Sequence, residues 1–558
     1  QNVGVGNSAL LSNTTGERNV AIGWRVADAN TTGSRNTAVG DHAFSDNTTG
    51  DYNVCMGSSS LSNNTTADYN TAIGYEALLA NTTGQYNTAV GAFALDANTT
   101  GDHNTAFGRM ALSANTTASH NTAVGNLALG VNTSGDGNTA VGSPALYQNT
   151  TGSHNTAVGN ESLDANSTGS YNVALGRSAL SANTTASYNT AVGANALATA
   201  TTGADNTAVG YNALTSVTTD PQNTAVGRQA LANLQGSSGL NTAVGRRACF
   251  TLTTGASNVA VGGNAMDQST TADNNVAVGV NALTSNTTGG DNTAVGFSAL
   301  DACATGSNNV AVGLYAGKLT TSGSYNVMIG RNAMYTTTTG DENVAIGYNA
   351  LYNHTTSNDN VCVGSNAGAS VTSGVNNLLL GHESGRSTAP SGAVTTGNNV
   401  VCLGDNSITD LYCADTSISS SDERDKTDIE AFNHGLDWIK KLEPITYRWD
   451  KRAWYVDDPD TPQNEGVPDG SKKRERLHLG FRAQNVLAVE QADGYASKKD
   501  DMLMVNLNED ETAYGMKYER LVVVLTKAVQ ELSAQNDELR SLIKDSKTFA
   551  SLKSSINN

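Results

Sequence analysis

A single pattern of polar and aliphatic positions recurs every 17 residues over most of the chain. Its commonest form is N-T-A-V-G-x-x-A-L-x-x-N-T-T-G-x-x, and the glycine that closes the pentad N-T-A-V-G marks the register. This glycine first appears as Gly6 and returns at the same interval as far as Gly227. The spacing slips by one residue at Gly245 and takes a longer last step from Gly381 to Gly404. A fixed period of this length indicates a solenoid in which each repeat stacks on the next.

Within one repeat, the pentad predicts a β-strand. Its Thr and its aliphatic fourth position then face one side, and its Asn, Ala and Gly face the other. The x-x-A-L segment predicts a second short strand, with a leucine such as Leu78 or Leu95 at its apolar point. N-T-T-G predicts a turn that uses the conformational freedom of glycine. Each repeat therefore predicts one coil of a parallel β-roll, and the coils should stack about 4.8 Å apart.

Three features of the repeat predict contacts or functions beyond a single coil. Asn at the first and twelfth positions should stack into side-chain amide ladders. The small alanine at the third position implies that something packs closely on its face, and we expect that neighbour to be a second copy of the chain. Regular threonines could also order water, as in ice-binding solenoids, although they fall mostly in a turn and at one strand position.

The pentads also resemble those of a known family. N-V-A-I-G at residues 19–23 and 343–347, together with the many N-T-A-V-G pentads, resembles the S-V-A-I-G pentads in the head of YadA-type trimeric autotransporter adhesins. The resemblance implies a mainly β fold, a homotrimer of left-handed parallel β-rolls, over residues 1–404. The repeat by itself leaves the handedness open, and the resemblance identifies no ligand.

The position just before each pentad varies, and stacked coils should align it as an exposed stripe. The ring stripe consists of Tyr52, Tyr69, Tyr86, His103, His120, His154, Tyr171 and Tyr188, with Gly137 as its one interruption. One interpretation is a ladder of rings that stack on one another, and a second is a platform for carbohydrate rings. A metal site would need two or three histidines to converge, so no metal is expected.

N-T-T is also an acceptor pattern for N-glycosylation. It occurs at Asn13, Asn30, Asn47 and Asn64. Turn chemistry with stacked Asn side chains explains the same pattern without sugars, and both interpretations remain open from the sequence.

Charge and composition exclude several classes of protein. The net charge of −19 argues against nucleic acid as a partner, because phosphate binding needs clustered Lys and Arg. No stretch approaches the ~18 apolar residues of a membrane span, so membrane insertion is not expected. Lys318 is the only lysine before Lys426, and lysines are frequent afterwards, which marks a domain boundary.

The six cysteines lie far apart, without the C-x-x-C spacing of metal or redox sites. They are Cys55, Cys249, Cys303, Cys362, Cys402 and Cys413. Cys55, Cys362 and Cys402 take the alanine position of the pentad, which predicts small buried thiols. We expect no cofactor.

After Gly404 the periodicity ends and other motifs follow. They are S-D-E-R-D-K at 421–426, LDWIKKLEPITYRW at 436–449 and LGFRAQNV at 479–486. In this order they closely resemble the self-cleaving intramolecular chaperone domain at the end of phage tail spikes and fibres. The resemblance implies a domain that drives trimerisation of the preceding fibre and then cuts itself off with a Ser–Lys dyad.

The resemblance also assigns roles to single residues. It makes Ser421 the nucleophile and Lys426 its general base, gives Asp422 and Arg424 positioning roles, and places the scissile bond between Ser421 and Asp422. The chemistry is sensible, because a serine hydroxyl needs a base to take its proton. A lysine can serve as that base where burial lowers its pKa.

The end of the chain predicts a helix with a heptad seam. The seam consists of Val522, Val529, Asn536 and Ile543 at one position and Leu525, Leu532 and Leu539 at the other. This pattern is typical of a parallel coiled coil in which a polar Asn fixes the register. The alternative is an amphipathic helix that docks on its own domain.

These observations predict a β-roll shaft (1–404), a linker (405–420), a chaperone and autoprotease domain (421–517) and a coiled-coil helix with its tail (518–558). The leading hypothesis is a homotrimeric viral fibre or spike on the virion surface, or otherwise extracellular, that binds a cell-surface receptor or glycan. Its only enzymatic activity would be a serine peptidase acting on its own chain. The alternatives are a cellular surface adhesin or extracellular filament subunit, located at the cell surface, and a glycan depolymerase with an inter-chain site.

Overall fold

The computed structural model describes residues 1–236, 239–408, 429–455, 466–507, 511, 513–545 and 548–557. The chain forms two compact units, Gln1–Glu342 and Asn343–Asn558. The protein is mainly β, as predicted: a parallel β-solenoid of about 22 turns with 17-residue repeats is followed by a small C-terminal α+β region with a helix.

Each coil contributes one strand of three residues, the centre of its pentad. The first unit contains β1 to β20, which are Val3–Val5, Val20–Ile22, Thr37–Val39, Val54–Met56, Thr71–Ile73, Thr88–Val90, Thr105–Phe107, Thr122–Val124, Thr139–Val141, Thr156–Val158, Val173–Leu175, Thr190–Val192, Thr207–Val209, Thr224–Val226, Thr242–Val244, Val259–Val261, Val276–Val278, Thr293–Val295, Val310–Val312 and Val327–Ile329. The second unit contains β21 to β24, which are Val344–Ile346, Val361–Val363, Leu378–Leu380 and Val401–Leu403.

Within each unit, successive strands pair in parallel so that like residues lie side by side. Ala72 of β5 pairs with Ala89 of β6, and Ile73 pairs with Val90. The one-residue slip in the repeat does not disturb this register, since Thr224 of β14 still pairs with Thr242 of β15. The extra residue is therefore accommodated between the strands.

The predicted second strand was wrong, because the x-x-A-L segment forms a turn. Glu76 and Leu78 adopt φ values of 54° and 57°, in the left-handed region. Placing a leucine there costs about 1–2 kcal/mol, whereas burying its side chain completely gains about 1.5–3 kcal/mol. Leu78 is fully buried, so the gain exceeds the cost. The turn still links the coils, because the Leu78 N–H donates to the Ala94 carbonyl at 2.9 Å.

The interior of the coil lies on the alanine side of the strand. Ala72, Ala89 and Leu78 are completely buried within the single chain. The expectation that a second copy packs on the alanine was therefore wrong, because the close neighbour is the coil's own leucine-lined interior. The outward side carries the first and third strand residues, which are half-buried or exposed.

The closing glycine of the pentad is required by its backbone and by its neighbour. Gly74 has a φ of 136°, which residues with a side chain rarely adopt. A Cβ atom added to it would lie 2.6 Å from the carbonyl carbon of Gly91 in the next coil. The coils therefore stack too closely at this corner for any larger residue.

The two predicted asparagine ladders are confirmed. Asn81 is buried, and its Nδ2 donates to Asn64 Oδ1 of the preceding coil at 3.0 Å and to the Gly84 carbonyl at 2.9 Å. In the other ladder, the Asn87 N–H donates to Asn70 Oδ1 at 2.9 Å. These side chains satisfy one another where no water reaches them. Asn30, Asn47 and Asn64, which match the N-glycosylation pattern, donate hydrogen bonds from their side-chain amide nitrogens within the first of these ladders.

The cysteines of the solenoid are buried free thiols, as predicted for the alanine position. Burial raises the pKa of the Cys249 thiol to about 12 and that of Cys55 further, so that both stay protonated and unreactive. Cys413 lies outside the described residues.

The C-terminal region combines short helices with two antiparallel strand pairs. Its elements are α1 Leu436–Lys441, β25 Ile445–Tyr447, β26 His478–Gly480, α2 Ala483–Ala492, β27 Val505–Leu507, β28 Tyr514–Met516, α3 Leu521–Asp545 and α4 Phe549–Asn557, with 3-10 turns at Arg452–Tyr455, Lys499–Asp501 and Tyr518–Arg520. β25 pairs with β26, and β27 pairs with β28. Their core is built around the fully buried Trp438, which packs with Val486 and Val524.

Substitution of one ladder residue should open the coils around it. Asn81→Ala removes two donated hydrogen bonds and leaves Asn98 Nδ2 without its Asn81 acceptor. Each buried polar group left unpaired costs about 1–3 kcal/mol. We expect amide hydrogen exchange between residues 64 and 98 to quicken by at least about tenfold, whereas the exposed Asn126→Ala should leave exchange unchanged. Equal exchange in the two variants would contradict the role of the ladder.

Acid should loosen the coil that contains His354. This histidine takes the place of the twelfth-position Asn and is buried, and burial lowers its pKa to about 4. The unfolded chain binds a proton near pH 6.5 and the folded coil does not, so stability is complete above pH 6.5 and falls until about pH 4, by roughly 3 kcal/mol. Hydrogen exchange around residue 354 should therefore quicken between pH 6.5 and 4, after correction for intrinsic rates. His354→Asn should abolish that change, and a pH response that survives in this variant would refute the assignment.

Candidate functional site

The residues predicted to cut the chain lie outside the described residues. Ser421, Asp422, Arg424 and Lys426 all fall within the undescribed range 409–428. The described part of the C-terminal region begins at residue 429.

A buried tryptophan organises the first helix of this region. Trp438 donates its indole N–H to Asp493 Oδ2 at 2.6 Å, which ties α1 to the end of α2. His434 stacks on the indole with the ring centroids 5.0 Å apart. The hydrogen bond to Asp493 gives the buried indole N–H of Trp438 the polar partner that it needs.

His434, Asp437 and Asp493 form the one cluster of three potential metal ligands among the described residues. The Nζ atom of Lys441 lies 3.6 Å from Asp493 Oδ2, the same oxygen that accepts the indole hydrogen bond. The Asp493 carboxylate is therefore already paired with the Lys441 ammonium group and the Trp438 indole N–H. We interpret the cluster as an ion-pair network that holds α1 against α2.

Glu490 is a buried carboxylate that the sequence did not reveal. Its side chain is fully buried on α2, and its two oxygens accept the backbone N–H groups of Leu503 at 3.0 Å and Met504 at 2.5 Å. It thereby fixes the segment that leads into β27. A single glutamate in a helix forms no recognisable motif, so only the folded structure identifies its role.

Helix α3 docks on the rest of the domain through one row of side chains. Leu521, Val524 and Ala528 are buried, and Glu531 Oε2 accepts the backbone N–H of Leu436 at 2.7 Å. A Cβ on Gly435 would lie only 2.6 Å from the Ala528 nitrogen, so the start of α1 approaches α3 closely. The N-terminal half of α3 is therefore part of the domain core.

The predicted heptad seam occupies a different side of α3 and is exposed. Val522, Val529 and Leu532 retain 62%, 65% and 55% of their accessible surface. Leu525, Leu539 and Ile543 are exposed as well, and so is Asn536. The helix thus has two apolar rows, one docked and one free. The coiled coil stays a prediction that uses the free row.

The ring stripe of the solenoid forms the stacked ladder that its spacing predicts. From Tyr52 to His120, successive ring centroids lie 4.9 to 5.1 Å apart. The stacking resumes from His154 through Tyr171 to Tyr188 after the gap at Gly137. The Arg35 guanidinium lies 4.9 Å from the Tyr52 ring and covers that end of the ladder.

Stacking decides what the ring stripe can bind. Most ring faces are covered by neighbours, so ring edges and tyrosine hydroxyls are the groups that solvent reaches. An ion in the plane of the His103 imidazole would lie outside the parallel plane of His120, which disfavours metal binding by this pair. The residues of the stripe share a left-handed backbone conformation, with φ near 60° at Tyr52 and His120.

A second ladder lies beside the rings, and the sequence interpretation missed it. The position before each ring residue carries Asp or Ser, except for Gln85 before Tyr86. The Asp or Ser side-chain oxygen accepts a backbone N–H from the preceding coil. The Asp51 N–H donates to Asp68 Oδ1 at 2.6 Å, and the Asp102 N–H donates to Ser119 Oγ at 3.0 Å. The regular recurrence of Asp and Ser just before the rings was the available signal.

The outward side of the strands is a further exposed surface. Met56, Ile73 and Phe107 retain 45%, 37% and 56% of their accessible surface. None of the 24 described strands of the solenoid contains a charged residue. Within each unit these strands form an uncharged and partly apolar surface, and large exposed apolar patches often mark contact sites.

Comparison with known proteins identifies one family. Residues 421–495 match the model of the family Peptidase_S74, described as chaperone of endosialidase. No curated protein and no solved structure matched the chain. In the part of the chain that the structure describes, no helix combines the length and the hydrophobicity of a membrane span.

The chain therefore ends in an endosialidase-chaperone domain preceded by a long parallel β-solenoid of 17-residue repeats. This combination fits a phage tail-fibre-like protein, and it suggests trimeric assembly and a place on the virion surface.

Proposed function

We propose that the chain is a subunit of a homotrimeric tail fibre or spike that attaches a virus to a cell surface. The observation that carries this proposal is the match to the chaperone of endosialidase at residues 421–495, directly after the solenoid. We further propose the domain division given by the sequence, with a shaft to residue 404, a linker to 420, the chaperone and autoprotease to 517 and a coiled-coil helix beyond.

The exposed seam of α3 supports self-association of the chain. Leaving Val522, Val529 and Leu532 in water is unfavourable, and pairing the seam with the same seam of other copies buries all of them. Parallel helices would also bring the solenoids of the copies into register. Starting in register matters, because parallel strand pairing is non-local and slow to nucleate.

Self-cleavage is the second part of the proposal. Lys426 would take the hydroxyl proton of Ser421, and cleavage between Ser421 and Asp422 would release the C-terminal domain. The released domain would carry the exposed seam of α3 away with it. The fibre would then be held by a kinetic barrier, since the template for refolding is gone.

The ring stripe is the surface that we propose for attachment. Its tyrosines are exposed, with 46% at Tyr69 and 52% at Tyr171. Tyrosine at such positions supplies both an apolar body and a hydroxyl. A glycan would meet ring edges and hydroxyls along the ladder, together with the free faces at the Gly137 gap.

Mass analysis tests self-cleavage directly. We expect the purified wild-type chain to yield a fragment of residues 422–558, and we expect Ser421→Ala and Lys426→Ala to keep the intact mass of 57.5 kDa. The exposed Lys440 offers a matched control, and Lys440→Ala should be cut like the wild type.

Identical masses for the wild type and Ser421→Ala, whether both cut or both intact, would refute the dyad. Light scattering of the uncut Ser421→Ala chain should give three times the chain mass, and a monomer would refute the trimer independently of cleavage.

Binding to a glycan array tests the ring stripe. We expect the double variant Tyr69→Ala, Tyr86→Ala to lose at least about tenfold in affinity, because contacts to two adjacent rings are removed. Tyr211 and Tyr348 are equally exposed but lie off the stripe, at 49% and 47%. Their double alanine variant should bind like the wild type. Equal binding by the two double variants would exclude the stripe as the attachment surface.

A further inference from the structure

The outward side of the strands changes in composition along the chain. From β3 to β15 the first strand residue is threonine, except at Val54 and Val173. From β16 to β24 it is aliphatic, except at Thr293. In β1 and β2 the first strand residue is valine. The outward side is therefore largely hydroxyl-bearing at its first position in β3 to β15 and nearly all aliphatic in β16 to β24.

The change is complete in the unit that carries the chaperone domain. All outward residues of its four strands are aliphatic: Val344, Ile346, Val361, Val363, Leu378, Leu380, Val401 and Leu403. They are partly or largely accessible, with 36% at Leu378, 66% at Val401 and 41% at Leu403. This unit thus presents an aliphatic face without hydroxyl or charge on any strand.

Threonine and valine have nearly the same shape, so the difference between the two faces is chemical rather than steric. Burying a threonine hydroxyl away from water without a hydrogen-bond partner is unfavourable, whereas burying a valine methyl is favourable. Contact between two aliphatic faces is therefore more favourable, coil for coil, than contact between two threonine-bearing faces.

The last strand of the aliphatic face borders the chaperone domain. Val401 and Leu403 line a cavity of about 400 Å³ together with Leu507 of β27, and Lys499 and Asn506 also line it. The exposed seam of α3 belongs to the same unit. The unit Asn343–Asn558 therefore carries two apolar surfaces that face water, the aliphatic side of β21 to β24 and the seam of α3.

A second copy of the chain is the partner that fits this face. The strands carry no charge that would select a charged partner. Each coil repeats the same register, so copies aligned in parallel by their α3 seams place like coil against like coil. Aliphatic residues of β21 to β24 then meet the same residues of the other copies, and the threonines of β3 to β15 meet threonines.

We propose that the copies first associate along the aliphatic outward face of β21 to β24, and that pairing then extends towards the threonine-bearing coils. The proposal rests on the proposed homotrimer and adds where and in which direction it assembles. The threonine-bearing coils join last because each contact there gains less, and they depend on the register that the first contacts establish.

Refolding of the full chain tests this order. One variant carries Val344→Thr, Val361→Thr and Val401→Thr, and its matched control carries Val20→Thr, Val54→Thr and Val173→Thr at the same strand position of earlier coils. Both contain Ser421→Ala so that no chain is cut. After dilution from denaturant, cross-linking at timed intervals measures the appearance of trimer. We expect the first variant to assemble at least about tenfold more slowly, and the control to assemble at the parent rate within about twofold.

Equal slowing of both triple variants, or of neither, would overturn the proposed order. Circular dichroism of the end products distinguishes slow assembly from failure to fold, and loss of the solenoid signal in the first variant alone would also count against the proposal. A parent chain that never forms trimers refutes the proposed homotrimer itself, and that outcome is seen before the variants are compared.

Discussion

Each coil depends on the hydrogen bonds that join it to the coils on either side. Backbone groups of the pentad and the buried asparagine amides both find their partners one repeat away, as in the pair Asn81 and Asn64. Neither group has water as an alternative, so every repeat must present the same atoms at the same height. This constraint explains why the slip near Gly245 is accommodated between strands and leaves their register unchanged.

Periodicity made the solenoid, its strands and its asparagine ladders predictable. The second strand was not predictable, because an apolar leucine in x-x-A-L looks the same whether it lies in a strand or, like Leu78, in a left-handed turn. The sequence also did not show which side of each strand faces the interior of the coil. Alternation separates Ala72 from Ile73 but does not say which side faces inwards when both carry apolar atoms.

In the C-terminal region the sequence revealed less of the site. Heptad spacing identified one apolar row of α3, but Leu521, Val524 and Ala528 also follow helical spacing, and only packing decides which row docks. Glu490 and the acceptor role of Asp493 depend on contacts between distant segments that no local motif encodes. The proposed roles of Ser421 and Lys426 rest on their motif, whereas the stacking of the ring stripe followed from register alone.

The left-handed backbone at the ring stripe limits which residues evolution can place there. Branched β-carbons are strongly disfavoured in that conformation. Along the solenoid this position holds residues as different as Arg35, His103, Asp205 and Leu240, yet no valine, isoleucine or threonine. In each coil this position can therefore be substituted independently, within a restricted set of residue types. Single substitutions at this position would change the order of rings, charges and amides along the solenoid while the coil structure stays the same.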